Sequence, residues 1–194
     1  MKVKDFYIFR HGQSTYNLQG RTQGRTNDSV LTELGQQQAK DVGKRLENKG
    51  IEIIACSPLQ RAQQTAKLVN ECLNVAIEID ARFNEIDVGQ AEGMYRDDIA
   101  KKFPEVYNKW CSSDEKYESV CYPDGESRES ARLRIFDGLE DWASKEYNVI
   151  AVSAHGIMLS QIMLALGKNM RDIPNGTILH IRKENDGWKI VELL

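Results

Sequence analysis

Val3-Lys4-Asp5-Phe6-Tyr7-Ile8-Phe9-Arg10-His11-Gly12 is apolar, aromatic and β-branched up to Phe9 and then breaks into a polar tripeptide ending in glycine. A short run of this kind predicts a buried strand over residues 3 to 9 followed by a loop. The same pattern recurs downstream. Ile51 to Ala55 predicts a second buried strand, residues 76 to 80 a third short strand, and Val149 to Val152 a fourth that ends in Ser153-Ala154-His155-Gly156. Helical patterns separate them. Thr32 is placed to cap a helix through about residue 48, with Leu34, Ala39, Val42 and Leu46 on one face and Gly50 past its end. Ser57-Pro58 opens a helix that turns Ala62, Ala66 and Val69 to the core. Residues 126 to 146 are periodic enough for a long helix, and another runs to about Leu166. A hairpin, residues 177 to 183 and 188 to 193 around Asn185-Asp186-Gly187, completes the chain.

Strands alternating with helices imply an α/β fold with a mostly parallel central sheet and helices on both faces. Such folds bind ligands at the carboxyl edge of the sheet. Four elements bring a charged or titratable residue to that edge: His11, Arg61, Glu85 and His155, in chain order. Residues 90 to 125 read as a cap-like insertion over one end of the sheet. Their helical pattern from Tyr95 to Trp110 is broken by Pro104, and residues 112 to 124 are polar and irregular.

The 194 residues are 41% hydrophobic and 28% charged, the balance of a soluble globular chain, and their number suits a single domain over residues 1 to 194. A net charge of -3 offers no general attraction to nucleic acid or to an anionic membrane. Any bound anion must therefore meet a local group of cations. The opening Met1-Lys2-Val3-Lys4-Asp5 and the break at Arg10 leave no apolar stretch of signal-peptide length, and no segment reaches the length of a membrane-spanning helix. Cys56, Cys72, Cys111 and Cys121 show no metal-ligand spacing. Reduced thiols in a cytoplasmic protein are the expectation. The oligomeric state is left open.

A neutral imidazole is a competent nucleophile towards phosphorus near neutral pH, which makes His11 the candidate nucleophile. Gly12 beside it lets the backbone approach a ligand closely. His155-Gly156 repeats the arrangement after another strand, so the two histidines are expected to converge on one pocket. The third histidine, His180, lies inside a predicted strand and reads as structural. A metal held by His11 and His155 is not expected, because no further ligands recur at suitable spacing, and no cofactor is called for. Arg10, Arg21 and Arg61 are candidate phosphate ligands, since a guanidinium matches phosphate oxygens in pairs. Arg61 also falls in the first turn of its helix, where the dipole favours an anion. Glu85 is the candidate acid: Phe83, Ile86 and Val88 around it, and a bound phosphate, would push its carboxyl towards the protonated form. Asp87 and Glu92 are rivals from the same loop.

Together these residues resemble the histidine phosphatase, or phosphoglycerate mutase-like, superfamily. The matching pieces are Arg10-His11-Gly12-Gln13-Ser14 with Asn17 and Arg21, Leu31-Thr32 with Gly35, Ser57-Pro58-Leu59 with Arg61-Ala62 and Thr65, Glu85 with Gly89 and Glu92-Gly93, Pro123 with Gly125-Glu126-Ser127, and Ser153-Ala154-His155-Gly156. Six matches in order cover most of the chain. The resemblance implies a three-layer α/β/α sandwich and a phosphohistidine intermediate on His11. It also implies a phosphate pocket of Arg10, Arg61 and His155, contacts to substrate or phosphate from Asn17 and Arg21, and Glu85 as proton donor. Glu85 is preferred over its rivals because it stands four residues before Gly89, as the family acid does.

Two departures stand out. Gln13 occupies a position where many members carry glutamate, and Ala91 one where an aromatic is common. The first changes local charge and the second is expected to open space. The stretch between Glu85 and His155 is short beside that of cofactor-dependent phosphoglycerate mutases, which favours hydrolysis of a small phosphomonoester over mutase transfer. The alternatives are mutase-type transfer and a phospho-ligand binding protein without activity. Pocket walls are expected from residues 90 to 122, with Met94, Tyr95, Phe103, Trp110 and Tyr117 either facing a leaving group or packing a cap.

Overall fold

Along β1 (Lys4–Arg10), successive side chains leave the sheet on opposite faces. Phe6 and Ile8 enter one apolar cluster, and Tyr7 and Phe9 enter another. β2 (Ile53–Cys56) and β4 (Val149–Ala154) divide in the same way: Ile53, Ala55, Ile150 and Val152 go to the first cluster, Ile54, Cys56 and Ala151 to the second. Strands that are apolar on both faces need cover on both. In the computed structural model, which describes residues 3–112 and 114–194, helices supply that cover. α6 (Arg128–Ser144) and α7 (Gly156–Ala165) bring Ile135, Leu139, Trp142 and Met158 to the first cluster. α2 (Glu33–Leu46) and α3 (Gln60–Leu73) bring Val42, Leu46, Ala62, Ala66 and Val69 to the second. Met1 and Lys2, part of the reading of the N-terminus, and Ser113, in the stretch read as irregular, lie outside the described residues.

With β3 (Ala76–Ile79), β5 (Ile178–Glu184) and β6 (Gly187–Leu193), the strands form one sheet in the order β3-β2-β4-β1-β5-β6. The pairs β3·β2, β2·β4 and β4·β1 are parallel, and β1·β5 and β5·β6 are antiparallel. This is the mostly parallel α/β/α sandwich expected. β1 and β4 are adjacent and end together, Arg10 opposite Ala154, so the loops carrying His11 and His155 leave the sheet side by side.

Several boundaries move. Leu34 is exposed, and the inward face of α2 is Gly35, Ala39, Val42, Gly43 and Leu46. α3 begins at Gln60 rather than at Ser57-Pro58, because Leu59 is still extended and its N–H donates to the Ser57 hydroxyl at 3.3 Å. Pro104 splits the middle helical pattern into α4 (Arg96–Lys102) and α5 (Pro104–Trp110). These two, with the short helix α1 (Thr15–Gln19), complete the α-helices among the described residues. Val88, Ala91, Ile99 and Tyr122 form a third, smaller apolar cluster, on which Met94, Phe103, Val106, Tyr107 and Trp110 of the same middle segment pack. No helix among the described residues is long and apolar enough to cross a membrane.

One close approach fixes the first loop. A Cβ on Gly12 would stand 2.1 Å from the Gly35 carbonyl oxygen, and one on Gly35 would stand 2.0 Å from that of Gln13. Only paired glycines let the His11 loop lie against the start of α2.

Candidate active site

The amide of His11 donates to the Ala154 carbonyl at 3.0 Å, which carries the β1·β4 pairing one residue beyond the strand. The ring Nδ1–H donates to the Gly12 carbonyl at 2.7 Å, so the proton sits on Nδ1 and Nε2 keeps its lone pair. The Arg61 Nε–H donates to that Nε2 at 3.2 Å. The His11 and His155 rings stand 5.3 Å apart at 60°. Burial, then the Arg61 and Arg10 guanidiniums, hold His11 well below the ordinary histidine range.

Arg61 is held rigidly, with Nη1 donating to the Thr26 carbonyl at 3.0 Å and Nη2 to that of Gly24 at 2.8 Å. Burial pulls it down to about 10, so it remains a cation at neutral pH. Arg10 donates from Nη1 to the Ile173 carbonyl, while its buried Nε has no partner among the described residues. A Cβ on Gly156 would lie 3.0 Å from that Nε, so the glycine leaves Arg10 the room it occupies. Both guanidiniums, His11 and Glu85 line one cavity of about 760 Å³, with Asn17 and Arg21 on its wall. Arg21 lies 4.1 Å above the Tyr16 ring and donates to the Gly93 carbonyl at 2.6 Å.

His155 lies behind this lining, fully buried. Its Nε2 is 2.7 Å from Ser57 Oγ, which itself donates to Asn84 Oδ1 at 3.1 Å. The serine hydrogen being committed to Asn84, Nε2–H of His155 is the donor, and the bare Nδ1 has no partner among the described residues. Burial, then Arg61, His11 and Arg10, hold this imidazole well below its ordinary range too.

Glu85 differs from its expected setting. Instead of an apolar enclosure, its two oxygens accept the amides of Ile86, Ile157 and Met158, all at 3.0 Å, two of them at the N-terminus of α7. The rival carboxylates are engaged elsewhere: Asp87 accepts the Gly89 amide at 2.8 Å, and Glu92 accepts that of Arg25 at 2.5 Å. Neither lines the cavity.

Asn175 went unnoticed in the sequence. Its Nδ2 donates to the His11 carbonyl at 2.9 Å and to Asn17 Oδ1 at 3.2 Å, tying two site residues together. The one available signal was the start of the last hairpin, because β5 pairs with β1 up to Phe9·Ile178 and the residues before it must flank Arg10 and His11.

Other expectations resolve locally. The Gln13 side chain accepts the hydroxyl of Thr32, the N-cap of α2, at 2.9 Å and is not on the cavity wall. Ala91 opens no space there, being packed in the third apolar cluster. Of the middle segment, Tyr95, Arg96 and Asp97 reach the cavity, whereas Met94, Phe103 and Trp110 pack on the cluster. His180, on β5, stacks on Tyr7 at 4.2 Å and bonds Asp5 at 2.6 Å, both on β1 before the His11 loop, and it does not line the cavity. No three His, Cys, Asp or Glu side chains among the described residues group as metal ligands do.

An unprotonated imidazole nitrogen, two guanidiniums and a carboxyl line one cavity, with a second imidazole buried behind them, and phosphoryl transfer can use all of these parts. Residues 6–194 match the Histidine phosphatase superfamily (branch 1). A relative named Phosphoserine phosphatase 1, from Hydrogenobacter thermophilus, is 31% identical over 160 residues, covering 82% of this chain and 74% of its own. One named "Probable phosphoglycerate mutase GpmB", from Enterobacter sp., is 32% identical over 154 residues, covering 79% and 70%. The solved structure of Bacillus stearothermophilus YhfR superposes with a TM-score of 0.86 at 26% identity, over 97% of this chain and 95% of that one.

Proposed function

The chain belongs to the histidine phosphatase superfamily, and from that premise we propose that it hydrolyses a phosphate monoester, without a metal ion, through a phosphohistidine on His11. The observation that carries this reading is the lone pair of His11 Nε2, kept unprotonated by the Nδ1–H bond to Gly12 and held by the Arg61 Nε–H, a donor that must turn to the phosphate oxygens as Nε2 attacks. Nε2 attacks phosphorus and forms the N–P bond as the bond to the leaving oxygen breaks, and Glu85 gives that oxygen its proton. Arg10, Arg61 and a protonated His155 stabilise the charge on the transferring group, the role a metal ion fills in other phosphatases. Water then attacks phosphorus, Glu85 takes its proton, and the N–P electrons return to Nε2. Asn17 and Arg21 contact the substrate from the wall.

The same reading takes residues 1 to 194 as a single domain, with residues 90 to 125 as a cap that shapes the pocket. It also takes the protein as cytoplasmic, supported by four cysteines that are all unpaired. The test is hydrolysis of an aryl phosphate in chelator-treated buffer. The wild type should turn over, and His11→Ala should lose activity to background. Wild-type rates in His11→Ala would refute the scheme. The mutase-named relative gives the rival reading a concrete check. With 3-phosphoglycerate and its bisphosphate present, a phosphatase releases inorganic phosphate, and a mutase makes 2-phosphoglycerate.

A further inference from the structure

A second cavity, of about 310 Å³, adjoins the first and shares Thr22, Arg96, Ile157, Arg171 and Asp172 with it as a common wall. Two of its other lining residues are polar, buried and unsatisfied. Arg128 is 4% exposed; its Nη1 donates to the Ser112 carbonyl at 2.8 Å, and its Nε and Nη2 have no partner among the described residues. Gln161, also 4% exposed, has an Oε1 with no partner among them.

No described residue pairs with these atoms. Arg128 sits in the first turn of α6, where the helix dipole opposes a cation. The nearby carboxylate of Glu118 is taken by Arg132 at 2.9 Å. A buried charge without a counter-charge is costly, and buried polar atoms normally find partners. Burial, followed by the Arg171 charge, lowers Arg128 from its ordinary range, as expected of a cation awaiting an anion. The open Nε and Nη2 form the side-on edge of a guanidinium, which matches the two oxygens of a carboxylate. A dianionic phosphate would need a second cation as deeply buried as Arg128; at the shared wall Arg171 is exposed and donates to the Cys111 carbonyl, and Arg96 is paired with Asp172 at 3.8 Å.

We propose that the second chamber receives the far end of the leaving alcohol, that this end carries a carboxylate held side-on by Nε and Nη2 of Arg128, and that a neighbouring hydrogen-bond donor meets Oε1 of Gln161. The substrate class is then a phosphate monoester of a hydroxy acid or hydroxy amino acid. This rests on the phosphatase reading and refines its substrate.

The test compares kcat/KM within two matched pairs of different reach: L-phosphoserine with O-phosphoethanolamine, and 4-(phosphooxymethyl)benzoate with benzyl phosphate. p-Nitrophenyl phosphate reports whether the protein is a phosphatase at all. In at least one pair the wild type should favour the carboxylate member by about thirtyfold or more. Arg128→Gln should reduce that preference to within about threefold. If Arg128→Gln does not fold, Gln161→Leu decides. It removes an unpaired buried acceptor, so its Tm should be no lower than wild type, and its preference should fall by about fivefold or more. Hydrolysis of p-nitrophenyl phosphate with no carboxylate preference in either pair overturns the inference and leaves the phosphatase reading standing. So does a preference that these variants do not reduce. Inactivity on all five compounds refutes the phosphatase reading instead.

Discussion

Arg61 and His11 share a hydrogen bond of 3.2 Å in which the guanidinium Nε–H donates to the imidazole Nε2. The same guanidinium is anchored by the carbonyls of Gly24 and Thr26, so a cation is fixed against the lone pair that must attack phosphorus. Lysine carries the charge but offers its donors from a single nitrogen, which cannot reach His11, Thr26 and Gly24 together. Arg61→Lys is expected to lower kcat/KM on an aryl phosphate by about a hundredfold to a thousandfold. A loss under about threefold in steady-state kinetics would remove Arg61 from the phosphate pocket.

His11 and His155 give stability a pH signature. Both are held below the ordinary histidine range in the folded chain, so below that range the unfolded chain binds more protons. Stability is then complete above about pH 6.5 and is lost as pH falls from there towards the folded values, at up to about 1.4 kcal/mol per pH unit for each histidine. Urea unfolding between about pH 5.5 and 6.5 measures it. His155→Asn should roughly halve the slope, and an unchanged slope would show that His155 does not stay neutral on folding.

Phosphate binding should take up a proton. Burial, then the neighbouring Arg61, His11 and Arg10, holds His155 well below the ordinary histidine range, and a bound phosphate dianion reverses the local sign and favours imidazolium. Calorimetry at pH 7 in buffers of different ionisation enthalpy should give uptake of up to about one proton per phosphate, and less in His155→Asn. Equal apparent enthalpies in all buffers would contradict this.

Asn175 acts by position. It donates to the His11 carbonyl and to Asn17 Oδ1, and aspartate has the same shape but offers these acceptors no donor. Asn175→Asp should therefore lower kcat more than Asn175→Ala, which should cost about tenfold with KM within about twofold and about 1–3 kcal/mol of stability. The reverse order of the two variants would rule out the positioning role.

Much of this site is written locally in the chain. The strand ending at Arg10-His11-Gly12 and the one ending at Ala154-His155-Gly156 carry their own signals, and their parallel pairing, Arg10 opposite Ala154, makes the histidines neighbours. Arg61 is legible because it opens a helix after a buried strand. What escapes is set by tertiary packing. The inward turn of Gly35 rather than Leu34 depends on the contact with Gly12 and Gln13. Two of the three amide donors to Glu85 come from a helix some seventy residues further on. Asn175 depends on how the last hairpin lies along β1. Short-range periodicity holds no trace of such contacts.

The most direct test of the central claim is rapid-quench trapping of the enzyme during turnover of an aryl phosphate, with the phosphorylated peptide mapped by mass spectrometry. The account predicts an acid-labile, base-stable phosphoryl group on the peptide containing His11, formed in the first turnover and missing from His11→Ala. A phosphoryl group on any other residue, or steady turnover with His11 never labelled, would contradict it.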